Sequence, residues 1–460
     1  MNQLYRIALS CLFVLAVNLS FGANNFEEPK DSTSKLIDRS AALVMIEDGK
    51  TKWGEGKVRD ALIKFRQAAV KDPFTWRAPY WIAKCHYRMD NYGYALKYGK
   101  EALDMGKEDV TDELYYVLGL AYHRNNELDE AIKYYELAME KLSKLRVHDL
   151  RIQQNIDQCN YAKKQMESGA KFERVRMSGD INSGYHDYNI VLSGQDTVLY
   201  FVSRRSNTTG GNMNPDDQLY FEDTYRVVYE PELEMWDEVS NDLGKMNSEG
   251  FDCLNWISAD GHWAVVTLNN TMTDVKKSTR VSDICIIKKN NKGTWNSPKA
   301  IDNKTINTSF FDGAASLTAD GNVMYFVSDR KGEKKSTDIY RVERNGKSWG
   351  NAELLPDNIN TIGRETTPFV SPDGKYLFFS SDGQAEGMGG TDIYVTKRIG
   401  KNEWSDPVNL GAGINTVNND THFVYDPANK KGYIAGLEIT GQKSSMDLYE
   451  IDLTSFEFPE

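Results

Sequence analysis

The chain is 460 residues long, with 55 Lys+Arg against 67 Asp+Glu, a net charge of −12, 40% hydrophobic residues and five cysteines. That length and apolar fraction give two to three domains with buried cores and exclude a disordered or collagen-like chain. The acidic balance argues against a nucleic-acid binder, which needs clustered Lys and Arg, and five cysteines are too few for a small disulfide-stapled scaffold.

Residues 1–22 carry one positive charge, Arg6, an apolar run from Ile7 to Leu19, and then Ser20-Phe21-Gly22. The run is too short for a membrane span and reads as a secretory signal cleaved near Ala23, followed by a polar leader to residue 34. A lipobox around Cys11 is disfavoured because most of the apolar run follows that cysteine. The expected location is therefore an exported compartment, the periplasm in a cell with two membranes, with peripheral outer-membrane association as a further expectation. Cys85, Cys159, Cys253 and Cys285 lack metal-ligand spacing and read as small buried residues, with a Cys85 to Cys159 disulfide as the alternative.

Charge divides the mature chain. Residues 23–170 hold 24 basic and 24 acidic side chains, whereas 171–460 hold 30 and 43. From residue 35 to about 168 apolar residues recur at helical spacing, and an anchor alanine repeats at Ala61, Ala95 and Ala131, 34 and 36 residues apart. Tyr115, Leu118, Gly119, Tyr122, Ala131, Tyr135 and Ala138 stand at the offsets of a tetratricopeptide repeat (TPR), and Gly49, Ala61, Phe65, Ala68 and Pro73 resemble it too. The second unit places Gly99 where an aromatic is expected. A helix over about His148 to Glu167, with Gln153, Gln154 and Gln158, is expected to cap the stack.

Carrying over the groove-lining positions of that repeat gives Lys50, Trp53, Arg77, Tyr80, Lys84, Tyr87, Arg88, Glu113, Tyr116, His123 and Arg124. Five cations against one acid imply a groove for an acidic or carboxylate-ended peptide, with aromatic stacking. The alternative is a solvated charged face.

From residue 171 the texture changes to short alternating strands. Asp223, Asp283, Asp338, Asp392 and Asp447 each begin a strand signal at intervals of 60, 55, 54 and 55 residues. Trp236, Trp295, Trp349 and Trp404 follow, and a hydrophobic-Asn turn recurs at Asn182, Asn247, Asn307, Asn360 and Asn415. Hairpins end at Gly261, Gly321 and Gly374, where glycine supplies a positive φ. A four-stranded unit of about 55 residues is one blade of a β-propeller. Five Asp and five Asn signals against four Trp predict five blades over 169–460, the segment around Phe172 to Met177 supplying the outer strand of the last blade. Six blades is the alternative if the 204–222 insertion hides a hairpin.

SPDGKYLFFSSDG at 371–383 and GGTDIYVTKR at 389–398 resemble the TolB-type propeller repeat. TPRs followed by such a propeller also resemble envelope proteins of Bacteroidota, including a periplasmic component of type IX secretion, that continue into a peptidoglycan-binding OmpA-like domain. This chain stops after the propeller, which implies an adaptor without its own anchor.

No phosphate loop, HExxH or GxSxG motif occurs, the six histidines lack ligand spacing, and no cofactor or metal is expected. The recurring Asp residues read as blade geometry rather than catalysis. Asp187, Asp252, Asp312, Glu365 and Asp420, each near the start of a blade's first strand, are instead read as non-repeating acids at a charged axial mouth. Gly387-Met388-Gly389-Gly390 reads as a flexible turn. The leading expectation is a non-enzymatic envelope scaffold or adaptor binding other proteins; a glycan or peptide hydrolase and a solute- or ion-sensing propeller are the alternatives.

Overall fold

The computed structural model describes residues 32–193, 197–269, 282–330, 336–440 and 443–459. The expected signal segment 1–22 and the leader up to residue 31 lie outside the described residues. Eight described α-helices come first: α1 (Ser32–Gly54), α2 (Val58–Lys71), α3 (Arg77–Arg88), α4 (Tyr92–Gly106), α5 (Glu113–Arg124), α6 (Leu128–Lys141), α7 (Lys144–Asp149) and α8 (Ile152–Glu167). The first six form three antiparallel pairs whose small residues sit at the helix contacts. Gly119 shows why: a Cβ there would lie 2.6 Å from the Tyr135 ring. The helix expected over 148–167 is broken instead at Arg151, whose φ is 50°. Cys85, Cys159, Cys253 and Cys285 are all free, so the Cys85 to Cys159 disulfide does not form.

The propeller has five blades, each an antiparallel sheet. Its closing strand is β1 (Arg174–Arg176). The first blade contains β2 (Asp187–Leu192), β3 (Val198–Ser203), β4 (Asp223–Glu230) and β5 (Met235–Trp236); the second β6 (Phe251–Ile257), β7 (Trp263–Asn269), β8 (Asp283–Lys288) and β9 (Lys299–Ala300). The third holds β10 (Asp312–Leu317), β11 (Val323–Ser328), β12 (Asp338–Asn345) and β13 (Ser348–Trp349), with β14 (Glu353–Leu354) also pairing β12. The fourth holds β15 (Glu365–Val370), β16 (Tyr376–Ser381), β17 (Asp392–Lys397) and β18 (Val408–Asn409). The last comprises β19 (Asp420–Asp426), β20 (Lys431–Thr440), β21 (Lys443–Asp452) and, on its outer edge, β1, with Val175 opposite Glu450. Pairing the two ends of the propeller segment in one sheet closes the ring without a free seam. The 204–222 insertion makes only a local bridge, Met213 to Tyr220, and adds no blade.

The Asn turns explain the repeat. Each carboxamide bonds both the N–H and the C=O of one residue in the third strand of the preceding blade: Asn247 with Thr224, Asn307 with Ile284, Asn360 with Ile339, and Asn415 with Ile393, all at 2.8–3.0 Å. Asn182 does the same to Leu448 at 2.7 and 2.9 Å, so its turn fastens the last blade to the first. The side chain thus stands in for one rung of a ladder between blades.

The helical domain lies on the propeller. The Arg59 Nε donates to Asp217 O at 2.9 Å and Gln218 to Asp60 at 2.9 Å, so the long insertion of the first blade meets the first repeat. Ser444 of the last blade donates to Met89 O at the turn after α3. At the fourth blade, His123 bonds Met388 O at 2.9 Å and Arg124 bonds Val417 O. Met388 and Val417 are buried in the core of the helical domain. Successive helical pairs therefore rest on the first, fifth and fourth blades in turn. Among the described residues one ion pair crosses the junction, Arg151 to Asp382 at 3.5 Å, so the docking is carried by backbone acceptors and apolar knobs rather than by the net negative charge of the propeller.

Candidate functional site

The groove positions fall into two groups. In the first, Lys50 and Trp53 of α1 face α3 around Lys84, with Tyr80 and Arg77 one and two turns before it on the same helix. Trp81, which sequence reasoning missed, lies at their centre: its ring stacks on Phe65 at 5.4 Å and meets Trp53 and Tyr80 edge-on at 5.9 and 5.6 Å. Positions 77, 80, 81, 84 and 88 form one helical stripe, and that spacing could have found it. Lys84 Nζ lies 4.3 Å from the Trp81 centroid, 5.3 Å from Tyr80 and 5.7 Å from Trp53, while Lys50 lies 5.8 Å from Trp81. Arg77 is exposed and lies over Trp76 at 4.9 Å. Arg88 is exposed at the end of α3.

Two acids serve this group, and the first is Glu47, one turn before Lys50 on α1 and paired with it at 2.7 Å. Glu113 accepts from Tyr80 at 3.2 Å, stands 4.0 Å from Lys84, and is gripped by Arg146 of the short α7. Burial alone would raise Glu113, yet the Arg146 bonds and the Lys84 charge hold it below the usual carboxylate range. Burial pushes Lys84 down against the pull of Glu113. The arrangement is a half-buried cationic and aromatic surface, with Lys84 and Arg146 on the Glu113 carboxylate, Lys50 on Glu47, and Arg77 exposed beside Trp76. Such a surface favours acidic side chains, because cation–π contacts hold the cations without neutralising them.

The second group is closed by the propeller. His123 is fully buried, its Nε2 bonded to Met388 O and its Nδ1 3.4 Å from the Tyr135 hydroxyl. Burial and the neighbouring Arg124 push its pKa down to about 3. Arg124 bonds Tyr87 at 3.4 Å in addition to Val417 O. Tyr87, Tyr116 and Arg124 line a pocket shared with the fourth blade. These positions are therefore not part of one continuous open groove, which corrects the expectation for Tyr87, Tyr116, His123 and Arg124. Gln154, read as part of an end cap, donates to Asp382 O at 3.2 Å. Gly387 to Gly390 is not a loose turn but the docking loop: a Cβ on Gly389 would lie 2.2 Å from Val417 O and 2.6 Å from Arg124 Nη1.

The five propeller carboxylates make no charged axial mouth. Asp187, Asp252, Asp312, Glu365 and Asp420 are all buried, at 0 or 1% exposure. Each accepts both the backbone N–H and the hydroxyl of the Ser or Thr four residues earlier, at 2.6–2.9 Å. Arg205, Arg330 and Arg174 neutralise Asp187, Asp312 and Asp420 at 2.6–2.7 Å, and Ser381 bonds Glu365. Burial pushes Asp252 and Glu365 up to about 7. They do repeat: an Asn, then Ser or Thr, then three residues, then Asp or Glu occurs in every blade. Their role is to fix the turn entering each inner strand.

Along the axis runs a cavity of about 760 Å³ lined by the five inner strands. Asn189, Ala314, Thr367 and His422 lie there at positive φ, where the inner strands shift register. Burial lowers His422 to about 4, and Glu222 at the wall is raised by burial.

Residues 47–110 match the tetratricopeptide repeat family. No curated protein matches the sequence. Among solved structures, the first TPR of Spaghetti (RPAP3) bound to the HSP90 peptide SRMEEVD is 25% identical, covering 25% of this chain and 96% of that one, with a TM-score of 0.23. The Pseudomonas aeruginosa periplasmic gluconolactonase PpgL is 10% identical over 56% of this chain and 70% of its own, with a TM-score of 0.30. Hydrazine synthase of Kuenenia stuttgartiensis is 14% identical over 56% and 75%, with a TM-score of 0.30. Among the described residues no helix is long and apolar enough to cross a membrane.

Proposed function

We propose that the protein is a non-enzymatic scaffold that binds acidic peptide segments of other proteins on the open half of its helical groove, while the propeller holds that groove in place. The observation that carries this is the Lys84 ammonium set against three aromatic rings, with Lys50 over one of the same rings, Arg146 near enough to add its charge, and Arg77 exposed on the same stripe of α3. A TPR array beside a propeller supplies interaction surfaces, and the propeller acids that could have served as acid and base are used up in turn geometry. The reading extends to an exported adaptor in a bacterial envelope, in an outer-membrane or type IX secretion assembly; crosslinking in intact cells should recover envelope subunits, and recovery of none removes that part.

Titration of a fluorescent acidic peptide tests the groove. Arg77→Glu with Lys84→Ala should weaken binding at least about tenfold, the loss expected when two charged contacts of roughly 1 kcal/mol each are removed. Unchanged binding sinks the groove assignment. A second reading, a solute-sensing propeller, is favoured by the axial cavity alone, whose volume suits a small ligand. A solute that binds there should lose affinity in His422→Ala and keep it in Lys84→Ala.

A further inference from the structure

The closed half of the groove is a composite pocket of about 210 Å³ walled by α5, α8 and the fourth blade. Three guanidinium groups face it: Arg124 of α5, Arg151 before α8, and Arg364 in the loop leading to β15. One lining carboxylate answers them. Asp382 pairs with Arg364 at 2.9 Å and with Arg151 at 3.5 Å. Arg124 has no ion pair among the described residues; its partners are the Val417 carbonyl and the Tyr87 hydroxyl, both neutral. Asp90 and Asp392 are near enough to feel the Arg124 charge, and Asp90 that of Arg364, but among the described residues neither forms an ion pair with them, and burial raises both carboxyls.

Arg124 carries the cost: its bonds go to neutral groups, whereas Arg151 and Arg364 remain 37 and 60% exposed and share Asp382. Removing a guanidinium from water without a carboxylate leaves its charge compensated only by dipoles, and such a charge is retained where an anion supplies the balance. Tyr87, Gln154 and Asn419 add hydroxyl and carboxamide groups around the same space. The flat fork of Arg suits the oxygens of carboxylate and phosphate groups.

We propose that this interdomain pocket binds a compact dianion, carrying phosphate or paired carboxylate groups, through Arg124, Arg151 and Arg364. The site is separate from the open half of the groove: Lys50, Arg77 and Lys84 do not line it. Because both domains wall it, the anion acts as a bridge. Anything that binds the docked form and not the undocked one must stabilise docking by mass action.

Calorimetric titration of the full chain with inorganic phosphate and, separately, with succinate at low salt tests this. The expected result is saturable binding of at least one of them with one site per chain, weakened about tenfold or more in Arg364→Ala and in Arg151→Ala, together with a rise in thermal midpoint that tracks ligand concentration. Arg124→Gln should abolish binding; since that variant and Arg151→Ala can also loosen docking, Arg364→Ala, whose ion pair stays within the fourth blade, carries the decision. No saturable heat from either probe up to about 10 mM, or affinity unchanged in the Arg151→Ala, Arg364→Ala double variant, overturns the proposal. Lys84→Ala should leave dianion binding intact while weakening acidic peptide, so a failure of one assignment is separable from a failure of the other.

Discussion

Replacing Asn360 by alanine tests whether the repeated Asn is a rung between blades. Its side chain is 7% exposed and makes three bonds: it accepts from Ile339 N at 2.8 Å and donates to Ile339 O and Leu355 O at 3.0 Å. Each such bond contributes about 1 kcal/mol net, and leaving the Ile339 amide buried without an acceptor adds roughly 1 kcal/mol or more, for a total near 4 kcal/mol. That is a large share of the ~5–15 kcal/mol that holds an ordinary domain together. Tryptophan fluorescence in urea reports it directly, because Trp349 and Trp404 belong to the blades that Asn360 joins. With a slope of roughly 3 kcal/mol/M, the propeller midpoint should fall by about 1 M. Asn360→Asp keeps the acceptor but sets a carboxylate oxygen against two carbonyls, so it should be no better than alanine at neutral pH and should recover in acid, where a protonated oxygen can donate. A midpoint shift below about 0.3 M for the alanine variant would refute the rung, since it corresponds to less than one net hydrogen bond.

Three further outcomes are expected. Gly389→Ala places a methyl against Val417 O and Arg124, so it should undock the domains, seen as faster proteolysis of the 168–173 link and a larger radius in solution scattering, while the urea midpoint of the propeller stays put. His123 is held neutral in the docked form with its pKa lowered to about 3, against about 6.5 when free; the docked form binds fewer protons between those values, so docking is fully stable above pH 6.5 and weakens as pH falls, by roughly 2 kcal/mol at pH 5. Thermal midpoints that do not change between pH 7 and pH 5, or a His123→Gln variant with the same acid dependence, would contradict this. Arg330→Ala strands the fully buried Asp312 and should cost about 3 kcal/mol or more in urea unfolding, part of which Asp312→Asn should restore; a neutral effect would show that the pair does not hold the third blade.

Much of the fold can be read from the sequence because its signals repeat. Asp, Trp and Asn recur at one period; five Asp and five Asn fix five blades, and the shortfall of one Trp places the closing strand near Phe172. Less visible are contacts made once. Arg146 reaches Glu113 from α7, a helix too short to announce itself by periodicity, and Met388 looks like a residue in a glycine-rich turn because it packs into the core of the other domain. The inner-strand carboxylates escaped for a different reason: Glu365 stands where four blades carry Asp, and the intervals vary enough to mask the repeat. Groove positions carried over from the TPR pattern placed Lys50, Trp53, Tyr80 and Lys84 together, but an isolated-domain pattern holds no information about the propeller that covers Tyr116 and His123.

The short link between α8 and β1 has a mechanical consequence. Six residues separate the end of the helical arm at Glu167 from Arg174, the first residue of the strand that seals the ring. Tension on the arm would otherwise reach a three-residue strand at the seam, the place where a closed ring is easiest to unzip. Arg151, Gln154 and Met388 offer a parallel path into the fourth blade, so load is shared while the domains stay together. A protein built this way bears force as a closed ring until the arm lifts, and from then on every newton falls on β1.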